Sequence, residues 1–410
     1  MPEFGFSHIH ARRHTMIRRR ILTFAFLAFL LLATVHAQNT SESTWRFAVS
    51  GDSRNCGDVV MPAIAKSVLE HKVEFYWHLG DFRLGYGIDD DMKNSGNPPT
   101  NIADYQKKAW DDFISQQIAP FGSLPVHLGI GNHELYFHGT TDADDELSHA
   151  EFIKKFSQWL GGSKTAYYHW KVRQVDFISM DNSRNDGFEA EQLSSLETLL
   201  KEDAADSNVR AVVVGMHRAL PNSLACGHSM NGDPYNSALD NRKSTESGRA
   251  AYRQLWRFQN TTGKGVYVLA SHSHLFMENI YNTAYWNNRN EKNPDTLKQE
   301  NEKSETTLAG WLVGTAGAVR YKLPDNLAAD IPAASYVYGY LLGEVSGDGT
   351  IAFHFEQVIE DSLPWVSKAN TARSLLISAS LTTGMPAPIL PRNPATNSSV
   401  VTSVAGYKNW

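Results

Sequence analysis

The sequence has little cysteine, and this shortage excludes a disulfide scaffold. Two cysteines, Cys56 and Cys226, occur in 410 residues, which is too few to stabilise a chain of this size by bridges. They either pair with each other, joining the loop after Asp52 to the loop after His217, or remain two separate buried thiols. Export would favour the bridge, because disulfides persist in oxidising compartments.

The apolar run near the N-terminus is short for a membrane span. It extends from Ile21 to Val35, whereas a spanning helix needs roughly 20 apolar residues. Arginines precede the run, and Val35-His36-Ala37 ends it with a small-x-small pattern suited to signal peptidase. We therefore predict a signal peptide over residues 1–37, a secreted or periplasmic protein, and no stable membrane anchor after cleavage. Retention as a membrane tether is the alternative.

Positive charge is also scarce. The net charge is −6, with 38 basic and 44 acidic side chains, and removal of the predicted signal takes away five arginines and one glutamate, which leaves about −10. Such a chain is a poor binder of nucleic acids or anionic membranes. A phosphate site would need local positive charge from metal ions or a few arginines.

What the sequence does have is a regular alternation of strand-like and helix-like segments. Hydrophobic residues make up 42% and aromatic residues 11% of the chain, enough for a large packed core. The alternation predicts a layered α/β fold over residues 44–360. A polar insertion is expected at about 287–305, and a Ser/Thr/Pro-rich C-terminal extension over 361–410. The clearest predicted segments are strands 45–50, 75–79, 209–214 and 265–270 and helices 59–70, 102–117, 189–201 and 249–258.

Short polar clusters follow successive predicted strands. Ligands gather at the carboxyl ends of strands in α/β sheets, so clusters placed in this way can converge. Together they offer two carboxylates, an amide oxygen and three imidazoles, a donor set that suits a pair of divalent or trivalent ions. The clusters are Gly51-Asp52-Ser53-Arg54, Gly80-Asp81, Gly131-Asn132-His133-Glu134, Gly215-Met216-His217 and Ser271-His272-Ser273-His274.

In this order the clusters resemble the calcineurin-like metallophosphoesterases, a superfamily that includes the purple acid phosphatases. The resemblance covers roughly residues 45–360 and is most specific at Gly-Asn-His-Glu. It implies a four-layer α/β/β/α sandwich with a dinuclear site of Fe, Zn or Mn at the edge of the two sheets, and a metal-bridged hydroxide that attacks phosphorus. It assigns Asp81 as the bridge, Asp52 and His274 to the first ion, and Asn132, His217 and His272 to the second.

The resemblance also assigns roles around the ions. His133 would be the general acid or transition-state stabiliser, Glu134 would orient it, and Asn132 and His133 would face the substrate. Two positions depart from the pattern. Arg54 stands where the family commonly has a histidine ligand, and Leu84 stands where purple acid phosphatases have a tyrosine, which predicts a protein without purple colour. Tyr86 could complete the first site.

Arg54 has two interpretations. Its guanidinium is shaped for bidentate contact with phosphate oxygens, or it forms a salt bridge with Asp58 or another carboxylate. Arg83 is a weaker candidate for the same phosphate contact. Elsewhere, His78, His127 and His138 are interpreted as packing residues, His228 as exposed, and the Gly314–Gly317 segment either as a tight turn or as a backbone contact for a ligand.

These observations predict an exported metal-dependent hydrolase of phosphoric esters, with a slight preference for monoesters through Arg54 and a small phosphoester as its binding partner. A phosphodiesterase acting on nucleotides or lipid headgroups is an alternative within the class. Outside it, a non-catalytic exported protein that binds phosphate or metal would explain the altered first-ion motif.

Overall fold

The computed structural model describes most of the predicted domain. The described residues are 44–135, 149–184, 187–221, 223, 229–230, 238–281, 307–324, 327 and 331–358. The predicted signal peptide, the polar insertion and the C-terminal extension lie outside them, as do Cys226, His138 and His228, so these predictions stay predictions.

Twelve strands and six α-helices lie in the described ranges. The strands are β1 Trp45–Ser50, β2 Tyr76–His78, β3 Val126–Leu128, β4 Tyr168–Val172, β5 Val175–Ser179, β6 Ala211–Met216, β7 Gly265–Ala270, β8 Phe276–Glu278, β9 Ala309–Val313, β10 Ala333–Ala334, β11 Gly339–Val345 and β12 Ile351–Gln357. The helices are α1 Gly57–Glu70, α2 Asp90–Lys93, α3 Ile102–Phe113, α4 His149–Phe156, α5 Ala190–Ala205 and α6 Ala238–Thr262. This mixed composition confirms the predicted α/β class.

The strands form two sheets. One has five strands in the order β12-β11-β1-β2-β3, and the other has seven in the order β10-β8-β9-β7-β6-β5-β4. β1, β2 and β3 run parallel, and so do β5, β6, β7 and β9. Because parallel neighbours end at the same edge, the segments that follow β1, β2, β3, β6 and β7 are positioned to meet.

Apolar side chains fill the space between the sheets and cover their outer faces. Phe47 of β1 packs edge to face against Phe177 of β5 at a centroid distance of 4.9 Å, in a cluster with residues of both sheets. A second cluster joins the outer face of the five-stranded sheet to α1, α3 and α4. A third joins the seven-stranded sheet to α5 and α6. Burial of both faces explains why β6 is a continuous apolar run.

Several elements differ from prediction at their ends. β1 and β7 have the predicted bounds, but α6 begins well before Arg249. The helix predicted to reach Gln117 leaves α geometry after Phe113 and continues as a π-helical turn, Ile114–Ile118. None of the helices in the described ranges combines the length and the apolar character that a membrane span requires.

Candidate metal centre

Three predicted ligands have a backbone conformation that residues other than glycine rarely adopt. Asp52 and Asp81 both have a φ of 61°, and His272 has a φ of 63°. A non-glycine residue in this left-handed region costs on the order of 1–3 kcal/mol, and such residues cluster at active sites. Neighbouring loops hold the conformation here. The Asp52 N–H donates to the Gly80 carbonyl over 3.0 Å, so the loops after β1 and β2 fix each other.

Four predicted ligands converge in what we call the second-ion pocket, formed by Asp81, Asn132, His217 and His272. The Nε2 atom of His217 lies 3.2 Å from Asp81 Oδ1, 3.1 Å from Asn132 Oδ1 and 3.0 Å from His272 Nδ1. Asp81 and His217 are fully buried. Suitable atoms of Asp81, His217 and His272 all lie within 4.8 Å of one another, as a shared ion requires.

The second-ion pocket presents lone pairs. His217 Nδ1 lies 3.0 Å from the Leu79 carbonyl, which can only accept, so Nδ1 carries the ring proton and Nε2 faces the pocket as an acceptor. The Ser271 hydroxyl donates to the same carbonyl over 3.0 Å. Two oxygens and two imidazole nitrogens therefore point at one place, a donor set that suits zinc, iron or manganese. A hydrogen bond that fixes the tautomer is typical of ligating histidines.

The pocket next to it, which we call the first-ion pocket, is formed by Asp52, Asp81 and His274. His274 Nε2 lies 3.2 Å from Asp52 Oδ1. Arg54 also enters this pocket: its Nη2 lies 2.8 Å from His274 Nε2, and its Nη1 lies 3.4 Å from Asp81 Oδ2. Asp81, the predicted bridge residue, thus directs one carboxylate oxygen to each pocket. The Arg54 guanidinium lies on the first-ion side.

Arg54 lies within ion-pair distance of another carboxylate, that of Asp81, and not of Asp58. Asp58 instead accepts from Arg83 over 2.7 Å. Arg83 is almost fully buried, and carboxylates of the protein surround its guanidinium. These belong to Asp58, Asp89, Asp91 and Asp112.

His133 lies next to Asp81, the residue that the two pockets share. Its Nδ1 donates to the Leu84 carbonyl over 2.5 Å, and its Nε2 lies 3.5 Å from Asp81 Oδ2. The ring of Tyr86 packs on it at 4.7 Å, so this tyrosine covers His133. Burial lowers the pKa of His133 to about 3, and the neutral ring keeps its proton on Nδ1.

Glu134 is buried and contacts the backbone of both neighbouring loops. Its carboxylate accepts from the backbone N–H groups of Asp81 at 2.8 Å, Phe82 at 2.7 Å and Gly131 at 2.6 Å. It therefore ties the loop after β2 to the loop after β3, while the Leu84 carbonyl orients His133. Gly131 allows the two loops to approach, because a side chain there would collide with the Asp81 carboxylate.

The electrostatics of the two pockets favour cations. Burial alone would raise the pKa of Asp81, yet His133, His217 and Arg54 hold it well below its usual value. Burial would lower the pKa of His217, but the Asp81 carboxylate raises it instead. A buried carboxylate that stays ionised attracts either a proton or a metal ion to its neighbours, and the two compete for the same lone pairs.

Some supporting residues have no signal in the sequence. The Asn182 side chain pairs with both backbone groups of Arg218, at 2.7 Å and 3.0 Å, and so fixes the loop that carries His217. The His274 ring stacks on Tyr321 at 4.1 Å, and its Nδ1 donates to the Val319 carbonyl over 2.6 Å. These contacts join distant segments, and only the folded chain reveals them.

The remaining candidates are structural. His78 is buried and its Nδ1 accepts from the Gly80 N–H, while His127 stacks on Trp170 at 3.9 Å; both are packing residues as predicted. In the Gly314–Gly317 segment, the Ala316 N–H donates to the Gly51 carbonyl over 3.0 Å. This favours the tight-turn alternative, because that amide is already used.

Cys56 is a free cysteine at the start of α1. Burial raises the pKa of its thiol to about 11, so it stays protonated and unreactive at neutral pH. Its predicted partner Cys226 lies outside the described residues, so whether the two cysteines pair stays a prediction.

Comparison with known proteins gives a likeness of fold. No family model matches the sequence, and no curated protein matches it significantly. Among solved structures, purple acid phosphatase PPD1 from yellow lupin (Lupinus luteus) seeds superposes with a TM-score of 0.51 at 14% identity, over 77% of this chain and 52% of that one. The chain and that phosphatase share a fold. The resemblance drawn from the sequence is thereby confirmed at the level of the fold, and the chain spans about half the length of that phosphatase.

Two further solved structures are similar to this chain, with lower TM-scores. PhoD matches with a TM-score of 0.47 and 13% identity over 80% of this chain and 72% of its own. A novel phosphatase from Mycoplasma pneumoniae matches with a TM-score of 0.33 and 8% identity over 77% of this chain and 93% of its own.

Proposed function

We propose that this protein is a metal-dependent hydrolase of phosphoric esters. One observation carries the proposal: side-chain oxygen or nitrogen atoms of Asp81, Asn132 and His272 each lie 3.0–3.2 Å from His217 Nε2 in a buried pocket. Buried acceptors so arranged repel one another unless a cation lies between them. The metallophosphoesterase fold supports the same conclusion.

A bound ion would supply Lewis-acid chemistry, acidifying water and offsetting the negative charge of the phosphoryl group. The protein's own residues do the rest. Glu134 holds the loops that carry Asp81 and Asn132. His133 can donate a proton to a leaving group only as the imidazolium, because its neutral form keeps its proton on Nδ1 against the Leu84 carbonyl. Tyr86 covers the ring and limits its contact with water.

A slight preference for monoesters is part of the proposal. Arg54 Nη1 is buried and has no hydrogen-bond partner among the described residues, although it lies within ion-pair distance of Asp81. Such a donor is available to a phosphate oxygen, and a charge-assisted bond to the dianion of a monoester is stronger than one to a diester. A diesterase would use this arginine less.

The finer features expected from the sequence are proposals of the same kind. The two sheets and their helices would form the four-layer α/β/β/α sandwich, with the ion site at the edge where β1, β2, β3, β6 and β7 end. Export through residues 1–37 also stays a prediction. Intact-mass measurement of the mature protein tests it, since cleavage after Ala37 leaves a chain that begins at Gln38.

The decisive experiment loads the purified chain separately with Zn, Mn or Fe and measures hydrolysis of p-nitrophenyl phosphate and bis-p-nitrophenyl phosphate. We expect metal-dependent turnover that is faster with the monoester and is lost with a chelator. His217→Ala is the matched control, because it should lose both activity and metal while it keeps its fold. A folded protein that binds metal but turns over neither ester would instead be the non-catalytic binder, which the intrusion of Arg54 into the first-ion pocket also favours.

A further inference from the structure

The first-ion pocket holds a positive charge that belongs to the chain itself. Arg54 is only 7% exposed, and its guanidinium reaches His274 Nε2 at 2.8 Å and Asp81 Oδ2 at 3.4 Å. The arginine therefore contacts two of the three residues that the resemblance assigns to the first ion.

The lone pair of His274 is already used. Its Nδ1 lies 2.6 Å from the Val319 carbonyl and must carry the proton. Nε2 is then an acceptor, and it accepts from Arg54 Nη2. Asp52 Oδ2 accepts the His272 N–H over 2.6 Å, while Asp52 Oδ1 faces the same space as His274 Nε2 at 3.2 Å. Two acceptors that face each other need a cation nearby, and the Arg54 guanidinium lies 2.8 Å from one of them, His274 Nε2.

The second-ion pocket differs at the same carboxylate. Asp81 presents Oδ1 to His217 at 3.2 Å and Oδ2 to Arg54 at 3.4 Å. Asp81 Oδ1 therefore faces the ligand atoms of the second-ion pocket, and Asp81 Oδ2 faces the Arg54 guanidinium. A divalent ion placed beside that guanidinium would meet a like charge at about 3–4 Å, which is strongly unfavourable in a buried site.

We infer that this protein binds a single metal ion, in the second-ion pocket, and that the Arg54 guanidinium takes the place of the first ion. The inference rests on the proposed metal site and changes its stoichiometry. A fixed monovalent cation then stands opposite the bound ion across Asp81. A phosphoryl group would be held between a metal ion on one side and a forked donor on the other.

Metal content of the purified protein tests the inference without any activity measurement. After incubation with excess Zn or Mn and removal of free metal, mass-spectrometric quantification should give about one ion per chain for the wild type and about two for Arg54→His, which frees the pocket and adds an imidazole. Arg54→Gln removes the charge alone, and it should also bind a second, weaker ion. It serves as the second test if Arg54→His misfolds.

His274→Ala is the matched control, because the His274 ring contacts Asp52 and Arg54 on the first-ion side. It should leave the wild-type content unchanged, yet remove the extra ion from the Arg54→His background. His217→Ala should remove the wild-type ion. A wild type with two ions would overturn the inference while sparing the proposed function, as would Arg54 variants that stay at one. A folded wild type that binds no ion would overturn both.

Discussion

The loops after β1 and β2 have the same four-residue pattern and opposite surroundings. Gly51-Asp52-Ser53-Arg54 and Gly80-Asp81-Phe82-Arg83 each place a strained aspartate and a buried arginine just beyond a parallel strand. Arg83 is surrounded by carboxylates at 2.7–3.6 Å. Arg54 faces a single carboxylate oxygen of Asp81 and an imidazole nitrogen.

This difference separates a structural arginine from a candidate functional one. The carboxylates around Arg83 satisfy its charge within the protein, and it joins α1, α2 and α3 to the loop after β2. Arg54 has donors to spare and lies between predicted ligands. The same motif therefore does not imply the same role, and what decides the role is the number of acceptors that the rest of the fold brings to the guanidinium.

The largest effect on stability is expected at Arg83. Arg83→Ala would leave several buried carboxylates without their cation, and loss of one partner of a buried ion pair costs about 3–5 kcal/mol. Chemical denaturation followed by circular dichroism measures the free energy of unfolding. Arg184→Ala is the control, since its pair with Glu189 at 3.1 Å is exposed and should contribute less than about 1 kcal/mol. Equal losses in the two variants would contradict the structural role of Arg83.

The next effect concerns the pocket between the two loops. His217→Ala removes a direct ligand, and we expect metal-dependent turnover to fall by at least about a hundredfold, since even outer contacts of a metal site are worth 10–100-fold. The far-ultraviolet circular dichroism spectrum should stay unchanged. His71→Ala, at a partly exposed histidine just after the end of α1, should retain activity. Near-normal turnover in folded His217→Ala would show that the ligand assignment is wrong.

A smaller effect is expected at Arg54, where the change should appear in substrate binding. Arg54→Ala should raise KM by about tenfold and change kcat less, because a ground-state contact with phosphate is lost. Metal content must be matched to the wild type during the assay. Arg54→Lys keeps the charge without the forked geometry and should recover part of the loss. An unchanged KM would return Arg54 to a purely structural role like that of Arg83.

Much of the fold could be predicted because its signals are local. β1 and β7 begin and end as predicted, since each is a compact apolar run next to a glycine or a polar loop. α6 could not be bounded in this way. The predicted start at residue 249 lies inside the helix. The preceding Gly248 reflects close packing, because a side chain there would collide with Pro221. β8 and β10 have three and two residues, too few for a periodic pattern.

For the site, the sequence predicts which residues could be ligands, and the fold decides what each one contacts. The resemblance assigned Asp81, Asn132, His217 and His272 to one ion, and the structure brings their side chains together. The partner of Arg54 could not be predicted, because His274 is 220 residues away. Glu134 likewise became a loop-binding residue only when three backbone N–H groups from two loops met at its carboxylate.

A pH dependence tests whether the Arg83 cluster contains more negative charge than its arginine can balance. Burial, reinforced by Asp58, raises the pKa of Asp91 to about 8, so the folded protein keeps this carboxyl protonated where the unfolded chain does not. Because the folded state then binds more protons, stability should fall as pH rises from about 4 to 8, by on the order of 1 kcal/mol per pH unit.

Asp91→Asn mimics the protonated carboxyl and should remove most of that pH dependence. Its amide can keep the acceptor that the Asp58 N–H uses at 3.1 Å, and its NH₂ would replace an oxygen that has no hydrogen-bond partner among the described residues. Thermal unfolding of both proteins at several pH values between 5 and 8 measures the difference. If the unfolding temperatures of the two proteins changed with pH in parallel, Asp91 would be ionised in the folded state. The carboxylates around Arg83 would then be ionised like those around Arg54. An excess of buried carboxyl groups would in that case not distinguish the loop after β2 from the loop after β1.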